Sequence, residues 1–155
     1  MSEFEQLIDS LGLEPHPEGG YFTEVYRSAE EIPSKALPDR YEGARAYCSS
    51  IYYLLPKGEV SKFHRLKSDE IWHVYQGGGL RMLLIDDEGE LSEVLLGAEQ
   101  GVFQAVVPKG VWMAAEPIAD FALLGCTVSP AFTFEDFEFA PVELLKGREE
   151  LKKFF

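Results

Sequence analysis

Cationic side chains are scarce in this chain. Fourteen lysines and arginines face 27 acids, a formal charge of −13 at pH 7. That balance repels polyanions, and no basic run longer than Lys152-Lys153 offsets it, so nucleic acid and anionic membrane surfaces are poor partners. Cysteine is nearly absent. Cys48 and Cys126 show no CxxC spacing. They are too few for a disulfide framework, and their apolar, strand-like contexts read as buried thiols. No apolar run reaches the roughly 18 residues of a membrane span. The acidic, amphipathic start MSEFEQLIDSLG also lacks the basic head and apolar centre of a secretory signal. The expected compartment is the cytoplasm. Internal repeats and low-complexity segments are missing as well.

What is present describes one globular domain over residues 1–155. An apolar fraction of 46% with 26% charged residues is enough to build a core at this length. Ser2 with Glu5 forms a capping box, and Phe4, Leu7, Ile8 and Leu11 recur at helical spacing before Gly12, which predicts a helix over 2–11. Pro15-His16-Pro17-Glu18-Gly19-Gly20 is a turn. The alternating strand Tyr21 to Ser28 follows, led in by glycines that suggest a close backbone approach. His16, between two prolines, reads as a surface or turn-bracing residue. Ala29 to Gly43, with Pro33 and Pro38, reads as a long loop, either a lid or an arm over a neighbour. From Ala44 onward strands succeed one another: 46–55, 60–64, 71–75, 80–85, 91–96, 103–107, 111–115, 121–128 and 132–137. Short strands with Gly, Pro and Asp turns predict an all-β sandwich or barrel. The tail from Pro141 carries Leu144, Leu145, Leu151, Phe154 and Phe155 and reads as helical turns that dock on the body or on a partner.

The stretch with most chemistry is Gly58 to Gly77, GEVSKFHRLKSDEIWHVYQG. His64 and Glu70 flank a polar turn and can face one another across a hairpin. Such a pair suits metal ligation or proton transfer. Alternation from Glu70 puts Trp72 and Val74 on its inward face and turns His73 outward.

That stretch resembles the first motif of the cupin superfamily, G-x5-H-x-H-x(3,4)-E-x6-G. Gly58, His64, Glu70 and Gly77 match, and Leu66 replaces the second histidine. The second motif, G-x(5–7)-P-x-G-x2-H-x3-N, is met by Gly101, Pro108 and Gly110, with Met113 and Pro117 in its histidine and asparagine positions. The phrases PHPEGGYFTEVYRS, SSIYYLL, VVPKGVW and LLGCTVSPAFTFEDFEFA look like one cupin branch catalogued as a domain of unknown function. The resemblance implies a double-stranded β-helix jelly roll with a short N-terminal helix and a C-terminal helical tail, and a homodimer.

Metal-holding members of the superfamily use three histidines and a carboxylate. The corresponding positions are His64, Leu66, Glu70 and Met113, of which two can ligate a divalent ion. The expectation is therefore no metal and no other cofactor, with His64 and Glu70 as a catalytic pair: His64 the general base, Glu70 orienting and charging its imidazole. Tyr21, Tyr53, Trp72, Gln104, Trp112 and Met113 are the expected ligand-binding walls. The expected function is a small-molecule site inside the barrel, an isomerase or epimerase of a sugar-like carbonyl compound by analogy with metal-free cupins that epimerise nucleotide-linked keto-sugars. The alternatives are a non-catalytic ligand-binding module and a metal-dependent enzyme that completes the set at His64 and Glu70 with substrate or water.

Overall fold

A computed structural model describes all 155 residues. Helix α1 (Glu3–Leu11) is capped as the sequence dictates: the Ser2 hydroxyl accepts from the Glu5 amide, the Glu5 carboxylate returns to the Ser2 amide, and Gly12 closes the other end in the left-handed region. Its apolar face lies on Leu13, Leu54, Phe121 and Leu123.

The strands in order are β1 (Glu14–Pro15), β2 (Tyr21–Arg27), β3 (Glu31–Ile32), β4 (Arg45–Ala46), β5 (Ser49–Pro56), β6 (Ser61–Arg65) and β7 (Asp69–Gly77). After these come β8 (Leu80–Ile85), β9 (Leu91–Leu96), β10 (Gln104–Val107), β11 (Trp112–Pro117), β12 (Phe121–Ser129) and β13 (Glu138–Phe139). One sheet runs β1-β2-β5-β12-β7-β10 and the other β13-β6-β11-β8-β9, every pairing antiparallel. The main core fills the space between them with Tyr53, Leu55, Trp72, Met82, Met113 and Leu124 among others.

Two segments differ from the sequence expectation. Residues 132–137 are not a strand. They form an irregular run ending in a 3-10 turn at Phe134–Asp136, because Asp136 turns back to make a buried, bidentate ion pair with Arg45 of β4, at 2.8 and 3.0 Å. The 29–43 segment, read as a loop, contains β3 and a 3-10 turn at Ser34–Ala36. Its Tyr41 hydroxyl and Arg40 guanidinium both donate to the Lys67 carbonyl, and Tyr41 also bonds the Ser68 hydroxyl, so the arm is fastened over the turn that separates His64 from Glu70. The tail docks on the body: Leu151 and Phe154 are buried against Phe63, Leu83, Ile85 and Trp112.

Candidate functional site

Strand alternation sends one face of β2, β5, β7 and β12 inward, and at one end of the sandwich those faces enclose a cavity of about 270 Å³. Phe22 and Glu24 of β2, Ser49 and Ile51 of β5, Glu70 of β7 and Cys126 and Val128 of β12 contribute to it from one sheet. His64 at the end of β6, with Leu66 just beyond, contributes from the other. The irregular 132–137 run closes a side with Phe132, Thr133, Phe134 and Phe137. A bulge in β2 after Glu24 shifts the parity, and so Arg27 reaches the rim.

The polar floor is built by the PHPEGG turn. Gly19 and Gly20 have φ of +109° and +75°; a methyl on Gly19 would fall on the Val60 carbonyl oxygen, and one on Gly20 would stand 2.7 Å from the Leu54 oxygen. This tight course drives Glu18 into the barrel end. Its carbonyl accepts from the Lys62 amide at 2.9 Å, and its carboxylate meets His64 Nε2 at 2.7 Å. The Tyr53 hydroxyl donates to the Gly19 carbonyl and pins the turn from below. Gly19→Ala is expected to cost at least about 2 kcal/mol, read as a lowered urea midpoint. An unchanged midpoint would show that the turn does not need its glycine.

His64 is 2% exposed and Glu18 5%, so their pairing decides their charge. His64 Nδ1 lies 2.7 Å from the Lys62 carbonyl, which can only accept, and therefore Nδ1 carries hydrogen. Burial alone would lower the imidazole pKa, but the Glu18 charge and hydrogen bond, helped by the Glu70 charge, raise it. Burial alone would raise the Glu18 carboxyl, yet the His64 charge and hydrogen bond bring it below its ordinary value. The two form an imidazolium–carboxylate pair. Phe137 stacks on the imidazole with centroids 5.1 Å apart.

His16 differs. Its Nδ1 accepts the Glu18 amide hydrogen at 3.1 Å, which fixes the neutral tautomer with hydrogen on Nε2. Burial, ahead of the opposing pull of Glu18, lowers its pKa. It braces the turn, but it is buried rather than on the surface. Glu70 accepts from Trp72 Nε1 at 2.9 Å. Burial raises its pKa to about 7, reinforced by Glu18 and only partly offset by His64 and the Trp72 hydrogen bond.

These contacts correct several expectations. The carboxylate on His64 is Glu18, not Glu70, because the PHPEGG turn reaches Nε2 and Trp72 holds Glu70 by one oxygen. Tyr21 faces away: the parity of β2 turns it toward Leu13 and Leu54 and brings Phe22 in. Gln104 is exposed on edge strand β10. Trp112 lies on the opposite face of its sheet, against Phe63 and the tail, with Arg65 4.1 Å over its ring. Tyr53, Trp72 and Met113 are in the packed core behind the cavity and do not line it. The sequence reading missed Glu18, Phe22 and the 132–137 wall. The signal for the first was the double glycine itself, since a turn so tight carries its preceding residue inward.

A family model described as "Cupin superfamily (DUF985)" matches residues 5–140. The chain belongs to this family. This cupin is 38% identical to a structurally characterised protein of Shewanella oneidensis, SO0799, with a TM-score of 0.85 over 99% of this chain and 98% of that one. A hypothetical protein of Leishmania major is 32% identical with a TM-score of 0.80, over 95% and 94% of the two chains. The uncharacterised protein YML079W of Saccharomyces cerevisiae is 33% identical, covering 97% of this chain and 79% of its own length. The metal positions implied by the cupin resemblance do not fit an ion here. Leu66 and Met113 offer no hard donor, both His64 nitrogens are engaged, and no three His, Cys, Asp or Glu side chains converge as a ligand group. No helix of this cupin is long and apolar enough to cross a membrane.

Proposed function

We propose that the cavity binds a small carbonyl compound and moves a proton on it, an isomerase-like reaction in which Glu70 exchanges the proton. The observation that carries this reading is the division of labour among the buried ionisable groups. His64 has both nitrogens engaged, by Glu18 and by the Lys62 carbonyl, so it supplies positive charge and is not a free base. Glu70 is held by one oxygen only and has a pKa of about 7, the value that serves a group taking and returning a proton near neutrality. His16 uses its Nδ1 on the Glu18 amide, and its Nε2–H is the unused donor.

In such a step the Glu70 carboxylate takes the hydrogen on carbon next to the carbonyl. The C–H electron pair moves into the new C–C double bond, and the carbonyl oxygen gains charge. His16 Nε2–H hydrogen-bonds that oxygen. Return of the proton from Glu70 to the same carbon gives hydrogen exchange without net change, and its delivery to the former carbonyl carbon, with the neighbouring hydroxyl's proton passing to the former carbonyl oxygen, completes isomerisation. No outside oxidant is needed.

The test is wash-in of solvent deuterium, followed by NMR over a panel of ketoses, aldoses and lactones. The expectation is exchange at one carbon with some panel member, lost in Glu70→Gln. A compound that binds and stabilises the fold with no exchange at any carbon would overturn the reading and leave a binding module.

A further inference from the structure

We propose that the cavity selects uncharged substrates, and that the Glu24–Arg27 pair at its rim enforces this by holding back the one permanent cation the cavity has. The proposal rests on the reading of the cavity as a small-molecule site. Its support is the set of charges that face the space. Arg27 is the single arginine or lysine among the lining residues. Its Nε and Nη2 both donate to the Glu24 carboxylate, at 2.9 to 3.3 Å, and Nη2 also donates to the Phe132 carbonyl. Its fork is thus already engaged in the geometry it would use for a substrate carboxylate or phosphate.

The other cation, the His64 imidazolium, is compensated by Glu18 at 2.7 Å. His16 is neutral, because its Nδ1 accepts an amide hydrogen. Glu70 is the remaining carboxyl and Cys126 a thiol whose pKa burial raises, and each can add negative charge but never positive. An entering anion therefore meets two pairs already compensated, Glu18–His64 and Glu24–Arg27, a Glu70 carboxyl that can only add negative charge, and a chain whose formal charge is −13. Leaving its own hydration without a countercharge is costly. A neutral polyhydroxy carbonyl compound loses nothing comparable and gains the His16 donor and the phenylalanine wall.

Size points the same way. At about 270 Å³ the cavity is at the small end for a ligand site, which suits a free sugar or lactone. A nucleotide diphosphate would have to remain outside, and the carboxylate-bearing rim would then face its phosphates. The structure thus departs from the nucleotide-linked analogy.

The probes are a matched pair, D-xylulose and D-xylulose 5-phosphate, titrated calorimetrically and by ligand-observed NMR against wild type, Glu24→Gln and Glu24→Gln/Arg27→Met. Wild type is expected to bind the neutral sugar at least about ten-fold more tightly than the phosphate. Glu24→Gln frees the guanidinium and is expected to shift that ratio about ten-fold toward the phosphate, the size of one unit charge at a partly solvated rim. Adding Arg27→Met should abolish the shift. A wild type that binds the phosphate as well as the sugar, a wild type that binds neither, or a ratio that does not move in Glu24→Gln each overturns the proposal. Binding of the sugar without deuterium exchange would instead count against the proton-transfer reading and leave this selectivity intact.

Discussion

Glu70→Gln is expected to make the protein more stable at pH 8 and to remove the proposed exchange activity in the same stroke. Burial holds the Glu70 pKa at about 7 against an ordinary 4.5. A group raised in this way contributes its full stability below the unfolded value, and that contribution is lost as pH rises through the folded one. The loss runs from about pH 4.5 to above 7. A displacement from 4.5 to about 7 corresponds to about 3 kcal/mol. In a chain of this length that is on the order of 10 °C in Tm. His64 adds in the same direction, since its raised pKa supports the fold fully below the ordinary 6.5 and fails as pH rises through the raised value. Glu18 acts oppositely: its lowered pKa gives stability that is present above the ordinary value and lost as pH falls through the folded one. The amide introduced by Glu70→Gln keeps an acceptor for Trp72 Nε1 and cannot ionise. Calorimetric Tm at pH 5.5 and pH 8 should therefore fall steeply in wild type and much less in the variant, with the variant the more stable at pH 8. Exchange should drop by about 10²- to 10⁴-fold, the usual worth of a positioned base. Parallel pH profiles for the two proteins would sink the stability half of this expectation, and undiminished exchange the other.

The second large effect belongs to His64. In His64→Leu the Glu18 carboxylate stays enclosed by protein with its partner gone, since Glu18 is only 5% exposed. Removing one member of a buried pair costs about 3–5 kcal/mol. Glu18→Gln is milder, because a neutral amide can still accept from His64. The double variant Glu18→Gln/His64→Leu should recover part of the loss, with a coupling of at least about 1 kcal/mol in the cycle. Urea denaturation at pH 7 measures all four proteins. Additive costs would mean that the 2.7 Å contact does not act as an ion pair.

How much of this was legible in the sequence follows from how local each signal is. The helix cap, the turn glycines and most strands announce themselves within a few neighbouring residues, and Ser2 to Glu5 is the plainest case. His64 and Glu70 were legible through motif spacing, and the structure does bring both to one cavity. Their partners were not. Glu18 reaches His64 from the edge of the other sheet, far away along the chain, and no period records that approach. Tyr21 and Trp112 were misplaced by a single step of parity. A one-residue choice of face exchanges cavity for core, and composition favours tyrosine and tryptophan on either side. The 132–137 run looked like a strand because alternating phenylalanines satisfy period two; the long-range Arg45–Asp136 pair overrides it.

Glu18 is attached twice to β6, through its carbonyl on the Lys62 amide and its carboxylate on His64. One of those two stitches joins uncharged groups, and the other is an ion pair only while the imidazole is protonated. The join between the sheets at this end of the sandwich is therefore a clasp with one fixed eyelet and one titratable hook. When the imidazole loses its charge in alkali the fixed stitch still ties the turn to β6, and the cavity keeps Arg27 as its one cation.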